Sequence, residues 1–182
     1  TSQSPVYQDE FLFLTSGEVK AKSFGTKIKS GETIIQSFNV CKKDWKIVTA
    51  FFDNKEKGKS SNAIDENTET IWNTSDNTSA TTLPQSITVD MGKEITIASF
   101  SYLPRQNGTG GIVKNYQWQT STDNTTWTTV AEGEFSNIKS NPVEQNIVLN
   151  TVAKARYFKF IGKTSVDGNY ISAAELGVKT LK

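Results

Sequence analysis

The chain is predicted to be all-β, and three observations carry that prediction. Runs of β-branched and aromatic residues recur with turn signals between them, and no stretch sustains apolar residues at i, i+3, i+4 and i+7. Individual segments also alternate: in Tyr116-Gln117-Trp118-Gln119-Thr120 the two rings fall on one face of a strand, the face expected to turn to the core.

Taken in order, the expected strands begin with Glu10–Leu14, Glu18–Phe24 and Thr33–Phe38. The main series is Lys46–Phe52, Ser86–Asp90, Ile95–Leu103, Tyr116–Ser121, Trp127–Glu132, Gln145–Leu149, Tyr157–Gly162 and Ala174–Val178. Asp123-Asn124-Thr125-Thr126 supplies a turn between two of these runs and reads as a hairpin. Tyr157 to Ile161 carries large apolar residues on both faces, as a central strand does. The expected core is Ile64, Trp72, Ile87, Val89, Phe100, Tyr102, Trp118, Phe158, Phe160 and Leu176, with Trp127 and the thiol of Cys41 also inside.

Two regions differ. Residues 54–85 are rich in Asn, Asp, Ser, Thr, Lys and Glu, with Ile64, Ile71, Trp72 and Leu83 as apolar anchors; so long a loop on a β-scaffold is expected to carry function or disorder. Residues 1–43 hold three short strands, too few to bury a core unaided, and are expected to be the end of a neighbouring domain. The chain opens on Thr1 with no basic and apolar leader, the form expected of a fragment or of a chain whose export signal has been removed.

Composition narrows the chemistry. With 182 residues the chain has room for one main core, and its 35% hydrophobic and 21% charged residues are those of a globular protein without a membrane span. A net charge of +1 with interspersed signs offers no phosphate-binding face, so nucleic acid is not expected as a partner. The absence of histidine removes Ser-His-Asp and Cys-His catalysis and imidazole zinc sites; the single Cys41 removes internal disulfides. Sequons at Asn73, Asn77, Asn107 and Asn124 are what an Asn- and Thr-rich chain produces by chance, and no glycans are assigned to them.

The run Asn62-Ala63-Ile64-Asp65-Glu66-Asn67-Thr68-Glu69-Thr70-Ile71-Trp72 resembles the signature loop of the discoidin, or coagulation factor 5/8 type C, domain. Ile87-Thr88-Val89-Asp90-Met91-Gly92, Leu103-Pro104-Arg105-Gln106-Asn107-Gly108 and Ala173-Ala174-Glu175-Leu176 agree in order and spacing. The resemblance covers residues 44–182 and is closest to the carbohydrate-binding branch appended to secreted glycoside hydrolases. It implies a discoidin-type jelly-roll β-sandwich. Residues 1–43, through Ser4-Pro5-Val6-Tyr7 and Gly17 to Phe24, resemble the second half of the immunoglobulin-like domain of chitobiase-type hydrolases. The resemblance thus implies a few strands of an incomplete immunoglobulin-like sandwich preceding the module, at the C-terminus of an extracellular, periplasmic or cell-surface chitobiase (hexosaminidase) or α-L-fucosidase.

The resemblance further implies a structural calcium ion. Its ligands would be the carbonyls of Asn62 and Asn67, the Asp65 carboxylate, the carbonyl and hydroxyl of Thr70, the Ala174 carbonyl and the Glu175 carboxylate, an oxygen set of the kind calcium takes. The other reading is that Asp65 and Thr70 close their loop through local hydrogen bonds. Where the family commonly has glycine after the first aspartate this chain has Glu66, so a turn needing positive φ there is expected to be strained. Asp65 with Glu175 could also suggest a glycosidase carboxylate pair, but metal ligation explains both, and no catalytic residue is assigned.

For sugar binding, the resemblance points to Trp72, Asn73, Arg105, Gln106, Asn107 and Tyr170. Chemically, a sugar site needs an aromatic face for C–H bonds and fixed polar groups for hydroxyls, which Tyr170 and the Arg-Gln-Asn run can supply. Asn73 stands where relatives use histidine, and the Gly108–Gly111 loop is about one residue shorter than theirs. Trp72 reads more readily as a core anchor than as a ligand platform, and Arg105 reads equally as a brace of its own loop. The expected ligand is a galactose- or N-acetylhexosamine-containing glycan. The competing expectation is a protein- or cell-surface-adhesion module; a lipid-binding one would need apolar spikes that the 73–82 loop lacks.

Overall fold

The computed structural model describes residues 5, 6, 8, 15–25, 31–51, 58–75 and 82–181. The expected strand Glu10–Leu14 and most of the 73–82 loop lie outside them. Among the described residues there are ten strands, in chain order β1 Gly17–Ala21, β2 Ile34–Phe38, β3 Lys46–Ala50, β4 Trp72–Asn73, β5 Gln85–Leu103, β6 Asn115–Ser121, β7 Thr128–Glu134, β8 Gln145–Gly162, β9 Ser172–Ala173 and β10 Glu175–Lys179. A 3-10 turn, Ser60–Ile64, interrupts the polar loop before β4.

Two long strands organise the sandwich. The expected pairs Ser86–Asp90 with Ile95–Leu103, and Gln145–Leu149 with Tyr157–Gly162, are each one continuous strand, β5 and β8, running antiparallel. Their ladder shifts register between Asp90 and Ile95 and again between Ile97 and Ser99. At the first shift Gly92 takes φ +76° and donates its N–H to the Asp90 carboxylate at 2.8 Å. What reads in sequence as a break is a corner, where a strand bends without leaving its partner.

The second shift reverses the side-chain phase. Ile87, Val89, Met91, Ile95 and Ile97 point inward at odd positions, and Phe100 and Tyr102 do so at even ones. Phe100 pairs with Ile147 in the ladder, whereas Phe158 pairs with Val89, yet their rings meet at 5.8 Å. Phe100 also stacks on Trp118 at 4.4 Å and Tyr102 on Phe160 at 5.2 Å. The long ribbon is therefore folded over on itself: β3 and β6 flank one half, β10 flanks the other, and the aromatic residues fill the space between.

Of the expected core, all but Ile64 are fully buried, and Ile64 packs against the cluster half-buried. Tyr116 is half-buried and stacks on Phe135 at 4.1 Å. Trp127 is not a core residue: it is half-buried just ahead of β7, with the Lys159 ammonium 4.0 Å from its ring centre. Cys41 is likewise only half-buried, with a free thiol. Among the described residues β1 and β2 pair only with each other, and Ile34 and Ile35 stay exposed on opposite faces. Ser16 anchors this hairpin to the sandwich by hydrogen bonds with Thr180.

Candidate functional site

β4 and β9 form a two-residue ladder, Trp72 opposite Ala173 and Asn73 opposite Ser172, which joins the polar loop to the last loop of the chain. Next to it, Thr74 clasps Ile171: its N–H donates to the Ile171 carbonyl at 2.9 Å, and its hydroxyl accepts the Ile171 N–H at 2.8 Å. Thr74 also bonds the Gln85 side chain, whose amide reaches the Thr82 carbonyl, and both residues are buried. This buried polar cluster fixes Asn73 beside the 167–171 loop. Nothing in the pattern of a Thr-rich loop marks Thr74 or Gln85 for that task.

The same loop meets the Arg105 turn. Ser172 donates through its hydroxyl to the Gly110 carbonyl at 3.0 Å and through its N–H to the Gly111 carbonyl at 2.7 Å. Tyr170 lies across Gly110, Gly111 and Gly168; a Cβ at Gly111 would stand 2.7 Å from its ring and one at Gly168 2.5 Å. The glycines thus make a shelf on which the ring seats directly. Arg105 also reaches the shelf, donating from Nη1 to the Gly110 carbonyl at 3.2 Å and from Nε to the Asn107 carbonyl at 2.7 Å.

Asn73, Arg105 and Tyr170 are accordingly linked through Ser172, Ile171 and Gly110. Their neighbours behave differently. The Gln106 amide nitrogen is engaged by the Pro104 and Pro142 carbonyls, so what it retains for a ligand is its oxygen. Asn107 is exposed, and Trp72 is fully buried, a core anchor with no ring face open to a sugar. The Asn73 oxygen accepts the Ser75 N–H at 2.9 Å. Arg105, Gln106 and Asn107 also border a groove of about 160 Å³ whose remaining wall is Thr68, Glu69 and Ile71; the motif that contains Glu69 does not mark it as a lining residue.

That wall continues into the expected cation loop. Asp65 accepts the Asn67 N–H at 3.0 Å and the Thr70 hydroxyl at 2.8 Å; Thr70 N–H donates to the Asn67 carbonyl at 3.2 Å. The Asn62 amide donates to the Ile71 carbonyl at 3.0 Å. Glu66 takes φ +63°, the left-handed conformation its place after Asp65 led one to expect, without a glycine. Glu175, the first residue of β10, faces this loop, and Ala174 beside it is tied to the Leu103 carbonyl.

Glu175 is the electrostatic centre of the corner. Burial pushes its carboxyl above the ordinary range, although Lys42 beside it pulls the other way. Lys42 bonds Oε2, while Oε1 is buried with no hydrogen-bond partner among the described residues. Among those residues no three Cys, Asp or Glu side chains converge. A cation here would need carbonyl and hydroxyl oxygens besides the two carboxylates, which is the donor set expected of Asn62, Asp65, Asn67, Thr70, Ala174 and Glu175. An orphaned, buried carboxylate oxygen fits that group.

Residues 48–176 match the F5/8 type C domain family. The chain is 34% identical over 128 residues, 69% of its length, to a sialidase of Micromonospora viridifaciens. It spans 9% and 19% of the length of the curated relatives it matches. A CBM32 module from Clostridium perfringens, solved in complex with GalNAc-β-1,3-galactose, superposes with a TM-score of 0.65 at 30% identity, covering 75% of this chain and 94% of that one. The C-terminal domain of a chitobiase from Bacteroides fragilis does so with a TM-score of 0.67 at 27% identity, covering 77% and 95%. Such neighbours are carbohydrate-binding modules of glycoside hydrolases, and the chain itself belongs to the F5/8 type C, or discoidin, domain family.

Proposed function

We propose that the chain is a non-catalytic module that binds galactose- or N-acetylhexosamine-containing glycans. The observation that carries this reading is the linkage of Asn73, Arg105 and Tyr170 around the Gly110–Gly111 shelf, together with a neighbour solved in complex with GalNAc-β-1,3-galactose. Tyr170 would present its ring to sugar C–H bonds; the remaining Arg105 nitrogen, the Asn73 amide nitrogen and the Asn107 amide would bond hydroxyls. Gln106 contributes its oxygen, and Trp72 holds the floor from beneath. Within a longer extracellular, periplasmic or cell-surface glycoside hydrolase of chitobiase, hexosaminidase or fucosidase type, such a module raises the enzyme's effective concentration at glycan. Residues 1–43 would complete the immunoglobulin-like domain that joins the two.

In the same reading, a structural calcium ion is held by the Asp65 and Glu175 carboxylates, the Thr70 hydroxyl and the carbonyls of Asn62, Asn67, Thr70 and Ala174. The ion would cross-link the polar loop to β10. A shallow site with few hydrogen bonds binds weakly, on the order of 0.1–1 mM. The test is calorimetry with galactose and N-acetylgalactosamine on the wild type and Arg105→Ala. Binding that the substitution weakens at least tenfold supports the reading; a protein that binds neither sugar, nor any glycan on an array, is instead an adhesion module for protein.

A further inference from the structure

We infer that Lys42 is a tethered counter-cation of the Glu175 corner, one that a divalent cation must displace in order to bind there. The inference rests on reading the corner as a cation site. It starts from the two oxygens of one carboxylate: Oε2 is bonded by the Lys42 ammonium, and Oε1 is buried without a partner among the described residues. Both side chains are withdrawn from water, Lys42 to 9% exposure and Glu175 to 13%, so neither charge can exchange its partner for solvent without moving.

A calcium ion satisfies several oxygens at once, where one ammonium satisfies a single carboxylate oxygen here. Its affinity rises with the negative charge around it. Asp65 and Glu175 supply two negative charges, and the Lys42 ammonium cancels one of them at contact distance. Lys42 therefore does two opposing things: it neutralises Glu175 while no metal is present, and it weakens the site for metal. Displacement has somewhere to lead, because the ammonium also stands 5.7 Å from the Trp45 ring centre, on a turn closed by the Trp45 N–H to Lys42 carbonyl bond at 2.9 Å. Moving toward that ring keeps a favourable contact for the cation.

The experiment compares the wild type with Lys42→Met, which keeps the packed stem and removes the charge. Both are stripped with chelator, then titrated with calcium chloride by calorimetry and by thermal melting. Without metal, Lys42→Met should melt below the wild type; with calcium, it should recover and bind the ion at least tenfold more tightly. Lys42→Gln, which keeps a donor to Glu175 without its charge, should show the same tightening, and it serves if the methionine variant does not fold. Calcium binding of equal strength in wild type and variants would overturn the role of Lys42 while leaving the cation site standing. Absence of calcium binding in all three proteins would overturn both.

Discussion

Two clusters of loops flank the same groove and treat their polar groups in opposite ways. At the Glu175 corner a carboxylate is withdrawn from water with one oxygen bonded and the other orphaned among the described residues. At the Arg105 turn the guanidinium and the Gln106 amide already donate to carbonyls of their own loops or of the 142 segment. The first arrangement is costly until a further partner arrives. The second is stable as it stands and offers a ligand only what the loop leaves over. On the proposed reading, a module built this way would gain stability from a cation at the Glu175 corner and only weak affinity from the Arg105 face.

The contrast is broken most severely at Glu175. Glu175→Ala leaves the Lys42 ammonium buried and unpaired, and should cost about 3–5 kcal/mol of unfolding free energy in urea titration. Calcium added to chelator-treated protein should raise the melting temperature of the wild type and leave this variant unmoved; an unmoved wild type would remove the structural ion from the account.

At the opposite cluster the sensitive point is the shelf. Gly111 has φ +74° and a Cβ there would meet the Tyr170 ring. Gly111→Ala should cost about 1–3 kcal/mol from the left-handed backbone and the displaced ring. It should also weaken glycan binding in calorimetry while leaving the calcium response intact.

A smaller effect, of opposite sign, is expected at Glu66. Glycine removes the left-handed penalty at φ +63° and adds its own entropy cost, so Glu66→Gly should stabilise by about 0.5–1 kcal/mol in thermal melts. If it destabilises instead, the Glu66 side chain has a role in the loop that outweighs its strain.

Asp90, by contrast, is a carboxylate with every partner in place. Arg156 bonds it at 2.8 Å from both Nε and Nη2, Gly92 N–H adds a third bond, and Arg156 first among these holds its carboxyl below the usual aspartate range. The unfolded chain binds the proton more readily, so this contribution is present above the ordinary value of 3.8 and is lost as pH falls through the lowered one. The wild type should thus lose stability relative to Asp90→Asn as unfolding is followed from pH 5 downward; parallel curves would show the pair to be neutral.

How legible each part was depended on the range of the interactions that decide it. Alternation placed Trp118, Phe158 and Phe160 correctly because a strand's period is local. Trp127 was misplaced because its neighbour Lys159 comes from another strand, and no local pattern shows that a cation will cover an indole ring. The candidate residues were found by motif resemblance, yet the motif says nothing of which donors remain free. That Gln106 bonds the Pro142 carbonyl, and that Trp72 of β4 pairs with Ala173 and is sealed inside, depend on segments distant in the chain.

The sequence by itself determined the all-β class, nearly the whole core and the polar loop that would hold a cation, since periodicity, ring placement and residue chemistry are properties of neighbours along the chain. The tertiary structure alone decided that Ser86–Asp90 and Ile95–Leu103 are one bent strand, that Phe100 faces Phe158, and that Lys42 shares Glu175 with the Asp65 loop. The reason is that a register shift reverses side-chain phase without changing composition, and a buried charge chooses its partner only after the sheets have closed around it.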